Sequence, residues 1–351
     1  MNKVGGRLYQ SFTNEAERMR GISVAKIVLA AMMAMATATA TATAENMTAD
    51  QKQRVVDRLA AEVSQRYVEV DKVPDIEHAI STIARSRELR DAASPEAVAE
   101  LLTRELRRFD HHFGVQWRAP DAETRSPAGE SWFAKLDRQN SGFRRVEIMD
   151  GNVGYIEFWG FDEVNERSTA RVAQAMAMVA STDALIFDLR QNGGGSGDMV
   201  RLISSYLLPG RIHLNSFYWR SSDSTTEFWT LDRIAGEKRP SVPVYVLTSK
   251  DTFSAAEEFA YNFKHLNRAE IVGEATKGGA NPWQFYELGD GFRAGIPIAK
   301  AINPVTRQNW EHVGVQPDQP VPAEDALEVA YRSALTVLQK DQGRADPAQQ
   351  R

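Results

Sequence analysis

The sequence predicts an α/β protein: a mainly parallel sheet with helices packed against it, preceded by a small helical unit. Two observations carry that prediction. From about residue 143 to 275, β-type apolar runs alternate with helical patterns, as parallel strands joined by helical crossovers require. Two of those runs, Ala184–Leu189 (ALIFDL) and Val242–Leu247 (VPVYVL), are apolar almost throughout, which suits strands covered on both faces. Residues 48–109, by contrast, show only helical spacing of apolar residues.

The chain has 351 residues, enough for one large domain or for a large domain with a small helical partner. Hydrophobic residues make up 42% and charged residues 25%, the balance of a globular protein. The net charge of −5 gives no reason to expect nucleic acid as a partner. There is no cysteine, which excludes disulfides, thiolate catalysis and cysteine-ligated zinc. At the N-terminus Arg18, Arg20 and Lys26 precede the apolar run Ile27–Ala36, and Ala42-Thr43-Ala44 stands before Glu45. A positive flank, an apolar centre and small residues at −3 and −1 describe a secretory signal peptide over residues 1–44, with Met19 as an alternative start. The protein is then expected in the periplasm or secreted. The competing reading is an uncleaved segment retained as a membrane anchor.

In order, Thr48–Val70 and Ile76–Ala84 read as amphipathic helices, and Ser94-Pro95 starts another whose apolar face is Val98, Leu101, Leu102, Leu106 and Phe109. Gly114–Trp117 reads as a strand, and Pro120–Gly142 as a polar loop. Phe143–Met149 and Val153–Phe158 form a hairpin through Asp150-Gly151-Asn152. Val164–Ala180 is helical, and the strand from Ala184 runs into Asn192-Gly193-Gly194-Gly195 before a helix over Met199–Leu208. Ile212–Trp229 is a strand pair rich in aromatics. The strand from Val242 breaks at Thr248–Thr252, and a helix begins at Ser254. Strands follow at Ala269–Val272, Trp283–Leu288 and Arg293–Ile298. Val313-Gly314-Val315 is an edge-like segment, and a last helix runs from Asp325 to about Lys340.

Several places can carry chemistry. A serine between a strand and a helix sits where free helix N–H groups and the positive dipole end favour negative charge, so Ser254 is either a nucleophile or a helix cap. The glycines after Asn192 allow backbone N–H groups to face an oxyanion, or simply make a tight turn. They match neither the phosphate-loop lysine motif nor the dinucleotide fingerprint, and no cofactor is expected. The six histidines show no metal-ligand spacing. His111 and His112 lie between a helix and a strand, where a side chain can enter a cleft. His312 is a weaker candidate, and Glu311 beside it reads by default as a surface carboxylate. Lys250, Lys264 and Lys277 are the lysines near Ser254 in sequence. One of them would need burial to act as a base.

Taken together, these segments are recognisable. Asp188-Leu189-Arg190-x-Asn192-x-Gly194-Gly195 resembles the DLRxNxGG segment of the S41 peptidases, which include the C-terminal processing (tail-specific) proteases, the tricorn core and the interphotoreceptor retinoid-binding proteins. Ser254-Ala255-Ala256-Glu257 resembles the nucleophile segment of that family, and Gly273-Glu274-x-Thr276-x-Gly278 its GExTxG segment. Asp110-His111-His112 resembles the opening D-x-H, and Glu311-His312-Val313-Gly314-Val315-x-Pro317-Asp318 the closing E-x-x-G-V-x-P-D. The match covers roughly residues 50–340.

The resemblance implies a ClpP/crotonase-like mixed sheet with flanking helices and a serine peptidase acting on peptide or protein chains. It implies Ser254 as nucleophile, His112 as base, Glu311 as its support, and the N–H groups of Gly194 and Ala255 as oxyanion donors. His111 and Lys277 are the alternative bases. Processing proteases place a lysine directly after the glycine of GExTxG, and here that position is Gly279. They also insert a PDZ domain ahead of the catalytic core, whereas only about thirty residues lie between His112 and Phe143 here, too few for one. Both departures favour the tricorn and retinoid-binding branch. The implied organisation is a helical unit over 45–112, a linker over 113–142, a catalytic domain over 143–340 and a disordered tail over 341–351. The competing function is a non-catalytic binder of apolar ligands, with Phe217–Trp229 and Trp283–Phe285 lining its cleft.

Overall fold

The computed structural model of the chain describes residues 46–119 and 131–345. The expected signal peptide, residues 120–130 of the expected linker and residues 346–351 of the expected tail lie outside the described residues.

Helix α1 (Ala49–Arg66) begins with a reciprocal cap: Thr48 N–H donates to Gln51 Oε1, and Gln51 N–H donates to Thr48 Oγ1. It is followed by α2 (Val73–Ala84), the short α3 (Arg87–Asp91) and α4 (Pro95–Leu106), which starts at the Ser94 cap as its sequence predicts. Strand β1 is Gly114–Trp117. Helix α5 (Trp132–Arg138) stands inside the segment read as a loop. Its seven residues bury only Leu136, too little for apolar periodicity to reveal it. Strands β2 (Phe143–Met149) and β3 (Val153–Phe158) form the expected hairpin, with Gly151 and Asn152 both at positive φ. Then come α6 (Glu166–Met178), β4 (Ala184–Asp188), α7 (Gly197–Leu207), β5 (His213–Trp219), β6 (Ser224–Trp229), β7 (Val244–Thr248), α8 (Ala255–His265), β8 (Glu270–Gly273), β9 (Trp283–Gly289), β10 (Phe292–Pro297), β11 (Ala299–Ile302), β12 (Gln319–Pro320) and α9 (Ala326–Ala345). The segment around Val313, read as edge-like, is a turn: His312 and Gly314 both have positive φ.

The main sheet has the order β12-β8-β7-β4-β3-β2, parallel throughout except for the antiparallel β2–β3 hairpin. Strands β4 and β7 are buried along their whole length. One face is covered by apolar residues of α6, α7 and α8, including Val172, Leu202, Phe259 and Phe263. The other is covered by α9, whose Ala326, Ala330 and Ala334 repeat every four residues and let the helix approach the strands closely. This double cover explains why those strands read as unbroken apolar runs.

A second sheet, β1-β10-β9, joins the early chain to the late chain. Its Phe292, Ala294 and Ile296 share one core with Val55, Leu59 and Val63 of α1 and Leu102 of α4. Each large apolar side chain buried there contributes about 1.5–3 kcal/mol. The helical unit is thereby fixed over the segment 278–298, which brings the residues after α4 to the edge of the main sheet. A third sheet, β11-β5-β6, carries the aromatic strand pair. The α/β class and its mixed sheet with flanking helices are as the sequence predicts.

Candidate active site

The carboxyl ends of β4 and β7 are neighbours, and the loops that leave them are laced together. Thr252 Oγ1 donates to the Leu189 carbonyl at 2.8 Å, Ser249 Oγ to the Arg190 carbonyl at 2.6 Å, and Phe253 N–H to the Asn192 carbonyl at 3.0 Å. The side chain of Asn192 works on the other side, donating to the Phe158 carbonyl and accepting from Gly194 N–H. Asp188 pairs with Arg190 at 2.6 Å and accepts from the Tyr155 hydroxyl. The DLRxN segment therefore builds the turn rather than meeting a ligand.

Ser254 stands at the start of α8 with φ 57° and ψ −120°. This is strained backbone for a residue with a Cβ, and it lifts the side chain out of a sharp strand-to-helix turn. Glu257 holds that turn. Its buried carboxylate accepts from Ser254 N–H (2.8 Å), Gly278 N–H (2.6 Å), Gly279 N–H (2.9 Å) and the Thr276 hydroxyl (2.5 Å). Burial pushes its pKa up to about 7, against the pull of those donors.

The turn after α4 supplies the imidazole. Asp110 Oδ1 accepts from His112 N–H at 2.9 Å, and Asp110 Oδ2 accepts from Asn281 Nδ2 at 2.8 Å. The His112 ring packs on Phe253, and its Nε2 lies 3.1 Å from Ser254 Oγ. With the proton on Nδ1, Nε2 accepts from the serine hydroxyl. Nδ1 is buried without a hydrogen bond and faces two carboxyls: Asp110 Oδ1 at 3.7 Å, and Glu311, whose Oε1 is also buried without a hydrogen bond and stands 4.0 Å from His312 Nδ1. One atom each of Asp110, His112 and Glu311 fall within 4.8 Å of one another, a spacing that also suits a small cation. Glu311 Oε2 accepts from Ala280 N–H. Burial, then the charge of Asp110, pushes the Glu311 carboxyl up to about 8. Glu311 is thus a buried carboxyl beside His112 and not the surface carboxylate of the default reading.

The expected donor Gly194 differs in its role. Its N–H is already donated to Asn192 Oδ1. What Gly194 provides is room: a Cβ there would meet Ser254 Cβ at 2.7 Å and the Phe253 carbonyl oxygen at 2.6 Å. Among the described residues the N–H groups of Gly195 and Ala255 have no acceptor, and both residues border the same cleft as Ser254 and His112. In the glycine turn it is therefore the Gly195 N–H, one residue on, that is left without an acceptor, because Asn192 accepts from Gly194.

The alternative bases are elsewhere. His111 Nδ1 contacts the Gly278 carbonyl and its ring meets His312 edge-on. Lys277 is exposed, with its ammonium over the Phe253 ring. Lys264 is bound to Asp318 and the Gln316 carbonyl, and Lys250 is exposed. At Gly279 a Cβ would meet Phe253 Cε2 at 2.2 Å and His112 Cε1 at 2.9 Å. A side chain at 279 and the His112 ring would compete for one space.

Ser254 and His112 open onto a cleft of about 780 Å³ walled by Trp132, Phe217, Trp219, Phe228, Trp283 and Phe285. Both aromatic segments read from the sequence as a cleft lining reach it. Sequence reading gave no role to Asp110, Asn192, Glu257 or Glu258. The signal for Asp110, Asn192 and Glu257 was available, because each is a fixed position of a motif.

A strained strand–turn–helix serine, an imidazole on its hydroxyl and free amides beside it define a site of the serine-hydrolase type on an α/β fold. Residues 152–321 match the model of Peptidase family S41, the family that the motifs resemble. The matched span includes Asn192, Ser254 and Glu311, while His112 precedes it. Carboxyl-terminal-processing peptidase 2 of the Arabidopsis thaliana chloroplast is 30% identical over 171 residues, 48% of this chain and 32% of that protein. A carboxyl-terminal-processing protease of Picosynechococcus sp. is 26% identical over 227 residues, 60% of this chain and 51% of that protein. The chain spans about half the length or less of these curated relatives. A solved structure of a candidate peptidase from Parabacteroides merdae superposes with a TM-score of 0.57 at 20% identity, covering 83% of this chain and 97% of that one, a likeness of fold.

Proposed function

We propose that the protein hydrolyses peptide bonds with Ser254 as nucleophile and His112 as general base. The observation that carries this is the 3.1 Å approach of His112 Nε2 to Ser254 Oγ. Oγ attacks the scissile carbonyl carbon while its proton passes to Nε2. The imidazolium so formed faces Asp110, whose negative charge stabilises it, and lies beside the Glu311 carboxyl. The carbonyl oxygen, now an oxyanion, takes hydrogen bonds from Gly195 and Ala255 N–H; losing one such donor costs about 10²–10³ in turnover. Nε2 returns its proton to the leaving amine. Water then releases the acyl group from Ser254, with His112 as base again. A histidine base agrees with the tricorn and retinoid-binding branch that the sequence resembles.

Ser254→Ala tests the reading. Hydrolysis of a peptide substrate is expected to vanish with the melting temperature little changed, and wild-type turnover in that variant refutes it. The aromatic walls of the cleft favour one competing function, the holding of an apolar ligand. A fluorophosphonate probe separates the two: covalent labelling of Ser254 supports the enzyme, and no labelling with a co-purified lipid supports the binder. Export to the periplasm or beyond the cell belongs to the same proposal and rests on residues 18–44 alone. Among the described residues no helix is long and apolar enough to cross a membrane.

A further inference from the structure

Resting on that reading, we propose that the cleft beside Ser254 selects a basic side chain, lysine or arginine, with the Glu258 carboxyl as the group that recognises its cationic tip. Glu258 lies one helical turn after Ser254, and its N–H donates to the Ser254 carbonyl at 2.9 Å. The two side chains therefore project from the same face of α8. Glu258 is 4% exposed, and what remains accessible borders the cleft that Ser254 opens onto. The other acidic side chain on that lining is Asp198, in the first turn of α7. No lysine or arginine lines the cleft among the described residues.

Among the described residues no cationic side chain pairs with this buried carboxyl. Beside it stands Asn215, fully buried, with neither side-chain atom in a well-formed hydrogen bond. Burial pushes the Glu258 carboxyl up to about 8, with Asn215 pulling it down and Asp198 adding to the rise. An incoming cation relieves that penalty, because opposite charge favours the ionised form. The approach is open: Gly197 has no side chain, and a Cβ there would stand 3.6 Å from Glu258 Oε2. The walls suit the rest of such a side chain, since Phe217, Trp219 and Trp283 cover an aliphatic stem and their faces attract a cation. An acidic side chain would be repelled by Asp198 and would oppose ionisation of Glu258. A purely apolar one would leave the carboxyl buried and unpaired.

The test uses the full-length protein and a peptide series that differs only in the residue before the scissile bond: Lys, Arg, Met, Leu, Phe and Glu. The kcat/KM for Lys or Arg is expected to exceed that for Leu or Met at least tenfold. Glu258→Gln is expected to remove most of that preference while cleavage of the Leu peptide continues. Peptide aldehydes ending in arginine or leucine measure the same preference as inhibition of the wild-type protein, so the result does not depend on the variant folding. Equal use of basic and apolar peptides, or an unchanged preference in Glu258→Gln, overturns the inference and leaves the peptidase intact. Absence of fluorophosphonate labelling in the wild-type protein overturns the peptidase reading and the inference with it.

Discussion

Gly279→Ala adds one methyl group at the point where the site is most crowded. That methyl would stand 2.2 Å from Phe253 Cε2, 2.7 Å from Phe253 Cζ and 2.9 Å from His112 Cε1. The backbone cannot retreat easily, because Gly279 N–H is held by Glu257 and its carbonyl accepts from Trp310 Nε1 at 2.8 Å. So the rings must move. Shifting Phe253 disturbs the residue before the nucleophile, and shifting His112 lengthens the contact to Ser254. A displacement on the order of 1 Å costs about 10²-fold in rate. Overpacking of this kind costs about 1–3 kcal/mol of stability, a fall of several degrees in melting temperature. The assay is kcat/KM on one peptide, with the rate of fluorophosphonate labelling and a thermal melt of the same preparation. We expect turnover and labelling to fall by about 10² with the fold retained. Wild-type rates in Gly279→Ala would mean that His112 is not held where the reaction needs it, and the histidine-base mechanism would fail.

Three further outcomes follow from the same geometry. Lys277→Ala removes an exposed ammonium and is expected to keep turnover within a factor of a few; complete loss with native folding would favour a lysine base. Glu257, Glu258 and Glu311 are raised to about 7, 8 and 8, so the folded state binds their protons more tightly than the unfolded chain does. Their contribution is present in full below the ordinary carboxylate range and is lost as pH rises through 7–8. The depressed His265 and His312 act in the opposite sense, but only below about 6.5. Between pH 7 and 8.5 stability should therefore fall, by up to about 1.4 kcal/mol per pH unit for each carboxyl still protonated in the folded state, and the melting temperature with it, less so in Glu311→Gln. A flat or rising curve there counts against the protonated carboxyls. Finally, N-terminal sequencing of the protein isolated from its native cells is expected to begin at Glu45, and an intact N-terminus removes the signal-peptide reading.

The positions that a reader of the sequence recognises and the work that those positions do are different matters. Asn192 and Glu257 are fixed letters of motifs, yet each acts by accepting or donating backbone hydrogen bonds that shape the turns around Ser254. Gly194 looks like an oxyanion donor from its place after a strand. Whether its N–H is free depends on where the Asn192 side chain folds, which spacing does not reveal.

By itself the sequence determined the class of the fold, the parallel core strands and the serine at the strand-to-helix turn. Those follow from local pattern: burial on both faces erases polar alternation, and a break followed by helical spacing marks a turn. Only the tertiary structure decided which imidazole meets the hydroxyl, that the N–H left without an acceptor in the glycine turn is that of Gly195, and that Glu258 borders the cleft. His112 and Ser254 are 142 residues apart, and nothing local to either fixes their 3.1 Å approach. It is set by the packing of the N-terminal helices on β9 and β10, which is a property of the whole core.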